Sequence, residues 1–364
     1  MAVSCYNDLV SGRPARQAIP HLHNFTLALC QVGNYYSEDD RPDEALKVLT
    51  VALDLVRALA EAAPQVDLPL LPPVLSGVSH ALVGLGQPDE ALPYAREAVA
   101  LTKRMHDFDP YKFGDGLLEC LEWLGSLLAE AGRVDEAVDT WRDAVDLHWT
   151  LFSLGRAVDV AHVASVLEDM AQSLAESGRH EEALEPAKDA VLQYRLLTDA
   201  NPSAFGEYLS VAVHNLALYH SQAGQVEEAV VRMEEAAGFH RLVAEWTGRS
   251  AAVDRLASAL RVLSEDYEKL GRTDDMLRSG TECLRVLEAL AADDPEEHLL
   301  RRCSLQLSFA AQRLRAGREL RARRGGPMRA STSPQVTGRR WQPDEGFTVS
   351  RSPGPTPPSA RPTR

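Results

Sequence analysis

Apolar side chains recur along this chain at offsets of three, four and seven residues, in a block that repeats about every 46 residues. Such offsets place side chains on one face of an α-helix. Within each block one position on that face is always small. The small residues are Gly33, Ser79, Gly125, Ala171, Ala217, Ser264 and Ala310. The pattern predicts a helix that a neighbouring helix can approach closely at this position.

A turn follows each of these helices seven residues after the small position, and we call its first residue the anchor. The strings GQPDEAL, GRVDEAV, GRHEEAL, GQVEEAV and GRTDDML open at anchors Gly86, Gly132, Gly178, Gly224 and Gly271. Asp40 takes the same place in the first block. Acidic residues three and four positions after the anchor offset the positive end of a helix dipole, so a second helix is predicted there.

The second helix ends at a helix breaker in every complete block. The breakers are Pro64, Pro110, Gly155, Pro202, Gly248 and Pro295. Each block therefore predicts a pair of helices of roughly 18 to 20 residues. After a seventh anchor, Gly317, no second helix follows. The predicted fold class is all-α: an α-solenoid of antiparallel helix pairs, with six complete units and one capping helix.

These features resemble the tetratricopeptide repeat, and the segment AVHNLALYHSQAGQVEEAV resembles the kinesin-light-chain variety in particular. The resemblance covers about residues 21–317. The repeat unit of this chain is longer than that of the family, whose usual unit has about 34 residues. The resemblance implies that the first helix of each pair lines a concave surface, where a partner peptide or helix would bind.

Three regions are predicted: an N-terminal extension at 1–20, the solenoid at 21–319 and a basic Pro/Arg/Ser-rich tail at 320–364. The net charge is −15, although residues 318–364 contain ten Arg and only three acids. The tail composition predicts disorder. Three interpretations of the tail stay open: a plain extension, a basic strap that folds onto an acidic groove, or out-of-frame translation.

Composition and missing motifs exclude several function classes. An acidic body argues against nucleic acid as the main partner, because phosphates need a cationic surface. Membrane spans, signal peptides, nucleotide-binding loops and hydrolase motifs are not found in the sequence. Five scattered cysteines indicate a reduced, cytoplasmic protein. No enzyme activity or cofactor is predicted, because these motifs are missing. No metal site is predicted either, because His214 and His220 lie six residues apart, which does not place them on one helical face, and His21 with His23 forms an equally weak pair.

The concave surface that the resemblance implies is called the groove here, and helical periodicity predicts which residues line it. They are Asn34, His80, Glu119, Glu122, Trp123, Ser126, Glu168, Asp169, Gln172, His214 and Arg261. Glutamates and Asp169 make the middle of this groove acidic, which favours a basic or neutral partner segment. The alternative is that these acids are only solvated and maintain solubility. Trp123 either anchors a partner or packs between adjacent first helices.

The leading functional prediction is a protein–protein interaction scaffold or adaptor that binds a partner segment in the acidic concave groove. The alternative is a regulatory module, derived from a larger signalling protein, that senses a peptide or small ligand. The carboxylate clamp by which some members of the family hold a peptide terminus is not matched by this sequence.

Overall fold

A computed structural model describes residues 15–62, 69–157, 159–247, 250–293, 306 and 309–315. Twelve helices lie between residues 15 and 293 of this part of the chain. They are α1 (Ala15–Glu38), α2 (Pro42–Ala62), α3 (Leu71–Gly84), α4 (Pro88–Phe108), α5 (Pro110–Glu130), α6 (Val134–Ser153), α7 (Val160–Glu176), α8 (His180–Ala200), α9 (Pro202–Gln222), α10 (Val226–Thr247), α11 (Ser250–Lys269) and α12 (Thr273–Asp293).

Each helix packs against the next one along the chain, and odd-numbered helices also contact each other, as α1 with α3, α5 with α7 and α9 with α11. Odd-numbered helices are the first helices of their pairs, and even-numbered helices are the second. The described helices lie in one compact unit that ends at Leu314. The predicted α-solenoid of helix pairs is confirmed.

The anchor turns share one backbone geometry. The six anchors within the described residues all have a positive φ, from 55° at Asp40 to 82° at Gly178. At the second turn, the Gly86 N–H donates to the carbonyl of Val83 (2.8 Å) and the Gln87 N–H donates to the carbonyl of Leu82 (2.9 Å). This arrangement caps the C-terminus of α3 and requires a residue in the left-handed region, where glycine is favoured.

Asp40 is the one described non-glycine residue with a positive φ. A side chain in the left-handed region costs about 1 kcal/mol relative to glycine. Asp40→Gly is therefore expected to raise the free energy of unfolding by about 1 kcal/mol in urea titrations. Gly132→Ala is the matched opposite change and should lower it by a similar amount. A destabilised Asp40→Gly variant would show that the aspartate side chain stabilises this turn.

In the first and third units, the small position of the first helix lies against a larger residue of the second helix. A Cβ atom added to Gly33 would lie 2.5 Å from Cγ of Leu49, and one added to Gly125 would lie 2.5 Å from Nε1 of Trp141. In the second unit the small residue is Ser79, whose hydroxyl donates to the carbonyl of Ala91 (3.2 Å). At these three positions the small residue therefore allows the two helices of a pair to approach closely.

Alanines of the second helices are completely buried five and twelve residues after each anchor. They are Ala45, Ala52, Ala91, Ala98, Ala137, Ala144, Ala183, Ala190, Ala229 and Ala236, each with at most 1% exposure. Their recurrence in the sequence thus reflects packing. In the sixth unit Met276 and Cys283 take these places and are also buried.

Residues 309–315 form a short helical segment that packs on the sixth unit. Phe309 lies over Gly280 of α12, so that a Cβ atom at this glycine would collide with its ring. The Ser264 hydroxyl donates to Oε1 of Gln312 at 3.2 Å. The predicted capping helix is confirmed in this segment.

The division into three regions stays a prediction. Helix α1 begins at Ala15 and thus includes part of the predicted extension. Residues 1–14 and the predicted tail at 320–364 lie outside the described residues. Within the described residues, no helix combines the length and the apolar character needed to cross a lipid bilayer.

Candidate functional site

A pocket of about 380 Å³ lies on the face formed by the first helices, near the N-terminal end of the stack. We call it the first-helix pocket. Helices α1, α3, α4 and α5 supply its walls. Its lining is Asn34, Pro69, Pro72, Pro73, Ser76, Gly77, His80, Thr102, Met105, Phe113, Gly116, Glu119, Cys120 and Trp123. Four predicted groove residues, Asn34, His80, Glu119 and Trp123, are therefore brought together here.

Trp123 and His80 form one wall of this pocket. Their rings stack with centroids 3.5 Å apart and planes tilted by 26°. The indole Nε1 of Trp123 donates to the Ser79 hydroxyl at 2.8 Å, and Trp123 is only partly buried. Desolvation lowers the pKa of His80. This stack gives the pocket a rigid, largely neutral aromatic surface, and Trp123 both packs between helices and lines the opening.

Polar and apolar groups are mixed around this opening. Asn34 and Glu119 are exposed, while Met105 and Phe113 are half-buried apolar residues. Cys120 is buried at the pocket, and burial raises the pKa of its thiol. A cavity with apolar walls and a few polar groups at its rim is the usual form of a ligand or peptide subsite.

A larger pocket of about 530 Å³ lies between α6, α7 and α8, where second helices provide most of its lining. Charged side chains dominate it. Arg179 lines it and pairs with both Asp135 and Glu182 at 2.5 Å. Since these exposed charges are already paired with each other, this pocket is a weaker candidate than the first-helix pocket.

Glu122, predicted to line the groove, is held by two histidines. Its Oε1 lies 3.3 Å from Nε2 of His148 on α6, and its Oε2 lies 2.6 Å from Nε2 of His162 on α7. The Glu122 side chain is 16% exposed and that of His148 is 8% exposed. This carboxylate is therefore engaged inside the stack and is not simply a solvated acid.

Glu168 lies one unit further along, in the equivalent place. The Tyr194 hydroxyl donates to its Oε2 at 3.1 Å, whereas its Oε1 is buried without a hydrogen-bond partner. Burial raises the pKa of Glu168 to about 7, partly offset by the tyrosine hydrogen bond. Partial desolvation and the charge of Glu122 also raise the pKa of the neighbouring Asp169. The acidic middle of the groove therefore carries less negative charge near neutral pH than the sequence indicates.

The raised pKa of Glu168 makes stability depend on pH in a definite direction. Its pKa rises from about 4.5 in the unfolded chain to about 7 in the folded chain, so stability is lost as the pH rises between these values. Glu168→Gln keeps an acceptor for Tyr194 and removes the ionisation. We expect it to be more stable than the parent at pH 8, with a smaller difference at pH 5, in urea unfolding. Glu176→Gln, at an exposed site, should show no such trend.

His214, another predicted groove residue, is buried against α10. Its Nδ1 lies 3.4 Å from Nε2 of His240, which is fully buried. Burial lowers the pKa of His214 to about 4 and that of His240 to about 3. Both imidazoles are neutral in the folded protein at neutral pH. His214 thus contributes to packing between two helices of one unit.

A regular pairing explains these last three observations. The residue ten positions before an anchor meets the residue sixteen positions after it, as in Glu122–His148, Glu168–Tyr194 and His214–His240. The side chain ten positions before the anchor therefore contacts the second helix of its own unit. Sequence periodicity places it on the groove side and does not identify its partner on the second helix. A spacing of 26 residues between complementary polar side chains is the signal that could have done so.

The remaining predicted residues form local contacts on their own helices. The Ser126 hydroxyl donates to the carbonyl of Glu122 (3.1 Å), Gln172 donates to Glu176 (2.7 Å), and Arg261 pairs with Glu265 (2.7 Å). Gln172 and Asp169 are exposed. These residues are not part of the first-helix pocket, and their binding role stays a prediction.

Two family models described as tetratricopeptide repeat match residues 74–110 and 118–143. A search of curated proteins finds no significant match. Among solved structures, similarity is found to a Pyrococcus horikoshii signal transduction ATPase with numerous domains and a tetratricopeptide repeat sensor. Its TM-score is 0.52 at 11% identity, over 77% of this chain and 40% of that chain.

Two further solved structures are similar at a TM-score of 0.48. One contains kinesin-light-chain TPR-like repeats from Podosopora anserina, with 16% identity over 63% of this chain and 99% of that chain. The other is BtubC (BKLC) from P. vanneervenii, with 17% identity over 68% of this chain and 92% of that chain. At such identities, the solved structures inform the fold alone.

Proposed function

Because the chain carries tetratricopeptide repeats, we propose that it is a protein-interaction scaffold that binds an extended partner segment on its first-helix face. Repeat stacks present continuous surfaces of this kind, since neighbouring units contribute equivalent positions. The fold is typically a non-catalytic interaction module, and the proposal assigns no catalytic residue and no cofactor.

The first-helix pocket is the observation that carries this proposal. Side chains of three successive first helices converge on it: Asn34 of α1, His80 of α3, and Trp123 with Glu119 of α5. Exposed aromatic surface beside a cavity is typical of residues that dominate binding energy. The pocket would accept one apolar side chain of a partner, with the partner backbone lying along the rim.

Charge favours a basic or neutral segment for this partner. Glu119 is exposed at the rim, and the exposed Glu130 lies further along the same helix. Glu122 and Glu168 are engaged by His148 and Tyr194, so Glu119 is the carboxylate best placed to meet a partner's cation. Opposite charges at a rim guide association and discriminate against acidic segments.

A cytosolic location belongs to the same proposal. The described cysteines, Cys30, Cys120 and Cys283, form no disulfide with one another. Secreted proteins usually pair their cysteines, whereas cytosolic proteins keep them reduced.

A peptide array tests the proposed function directly. It presents extended ten-residue peptides with one central apolar residue and flanks that are basic, neutral or acidic. We expect the full chain to bind the basic and neutral sets more tightly than the acidic set. For the best peptide, fluorescence anisotropy should show at least a tenfold weaker affinity after Trp123→Ala, and a weaker preference for basic flanks after Glu119→Lys.

Arg142→Ala is the matched control, because Arg142 lines the larger pocket between α6, α7 and α8 and is not part of the first-helix pocket. Its peptide affinities should equal those of the parent. Binding that resists both Trp123→Ala and Glu119→Lys but falls with Arg142→Ala would move the binding site to the second helices and contradict the proposal.

A further inference from the structure

Three side chains from three successive helices converge at the junction between the third and fourth units. Glu122 of α5, His148 of α6 and His162 of α7 each offer one ligand atom, and these atoms all lie within 4.8 Å of one another. We call this set the Glu–His–His cluster. Its members are separated by 26 and 14 residues along the chain, so only the packing of the helices brings them together.

The spacing of these atoms suits a small transition-metal ion. Zinc binds imidazole nitrogen and carboxylate oxygen at about 2.0–2.2 Å, so adjacent tetrahedral ligands lie about 3.3 Å apart. Oε1 of Glu122 and Nε2 of His148 are separated by 3.3 Å. Oε2 of Glu122 and Nε2 of His162 are 2.6 Å apart, a hydrogen bond that a metal ion would replace after a small opening of the pair.

The Glu–His–His cluster combines two largely buried side chains with one that solvent can reach, as a metal site requires. The side chains of Glu122 and His148 are 16% and 8% exposed, whereas that of His162 is 49% exposed. The two inner ligands are therefore held by packing, and the outer one is accessible to solvent. Asp169 lies within electrostatic reach of Glu122 and His162, which adds negative potential for a cation.

The junction between the third and fourth units is the most sparsely packed one among the described helices. Helices α6 and α7 pack more sparsely against each other than any other consecutive pair among the described helices. Gly155, with φ of 82°, lies in the turn between these two helices, where a helix cannot continue. A ligand set contributed by both sides of this junction would restrain the angle between the third and fourth units.

We propose that Glu122, His148 and His162 bind one divalent transition-metal ion, with zinc the best match, and that this ion ties the third unit to the fourth. Two imidazoles and one carboxylate form a borderline donor set that favours zinc, cobalt, nickel or copper over magnesium or calcium. The proposal is independent of peptide binding at the first-helix pocket.

Calorimetry with zinc chloride on the untagged, chelator-treated full chain tests this site. We expect one ion per chain at neutral pH, a raised Tm, and no comparable binding of magnesium. His162→Gln should weaken zinc binding by about 100-fold or more, since even residues that support metal ligands contribute about 10- to 100-fold. The variant changes a half-exposed side chain, and its circular dichroism should match that of the parent.

Two further variants complete this test. Glu122→Gln should also remove the zinc-induced rise in Tm, while His80→Gln, which lies outside the cluster, should keep it. The absence of stoichiometric zinc binding by the parent would overturn the proposal. It would also be overturned if zinc bound His162→Gln and Glu122→Gln as tightly as the parent, because the ion would then lie elsewhere.

Discussion

Gly125→Ala is expected to lower the free energy of unfolding by about 2 kcal/mol, measured by urea titration, although alanine is the better helix former. The added Cβ atom would lie 2.5 Å from Nε1 and 2.6 Å from Cδ1 of Trp141. That indole is 2% exposed. Because the ring is enclosed, it cannot move away without displacing its own neighbours, so the two helices of the third unit must separate.

Gly238→Ala is the matched control in helix α10. The Cβ atom added at Gly238 meets nothing within 4 Å, so only the helix propensity changes. This variant should be more stable than the parent by up to about 1 kcal/mol. Opposite signs for the same chemical change would establish close approach as the reason for the small position. Equal effects at both sites would mean that Trp141 can reorient.

Phe309→Ala is expected to have the second large effect, a local loss of about 3 kcal/mol in the sixth unit. Phe309 is 8% exposed and covers Gly280 of α12. In a repeat stack each unit is stabilised mainly by its neighbours, so the loss should stay near the end of the stack. Amide hydrogen exchange in α11 and α12 should therefore become about 100-fold faster.

The exchange pattern distinguishes a cap from a general core residue. Helices α3 to α6 should exchange at the parental rate in Phe309→Ala. Leu314→Ala provides the control, since Leu314 is 66% exposed and should leave exchange in α11 and α12 unchanged. Uniformly faster exchange along the whole stack would argue against a capping role for residues 309–315.

The architecture was predictable because each unit repeats the same physical solution. A small residue, a turn with a positive φ, an acidic helix start and a helix breaker each have a local cause that can be seen in one unit and checked in the others. Asp40 illustrates the strength of this register: it adopts the turn conformation of the anchor glycines, with φ of 55°, despite its side chain.

The groove was only partly predictable. Periodicity places Asn34, His80, Glu119 and Trp123 on the first helices, and they line one pocket. Periodicity also treats Glu122 and Glu168 as free groove acids, although each contacts the second helix of its own unit. The charge reversal that tests the groove is therefore best made at the exposed Glu119, where it does not break a buried hydrogen bond.

The sequence by itself determined the helix pairs, their turns and the small positions, because these depend on residues within a few helical turns of one another. Only the tertiary structure decided that Trp141 fills the space at Gly125, and that Glu122 meets both His148 and His162. The physical reason is that such contacts depend on how far each helix is rotated and shifted against its neighbours. Those rotations come from packing the whole stack, so side chains 26 and 40 residues apart meet without a local signal in the sequence.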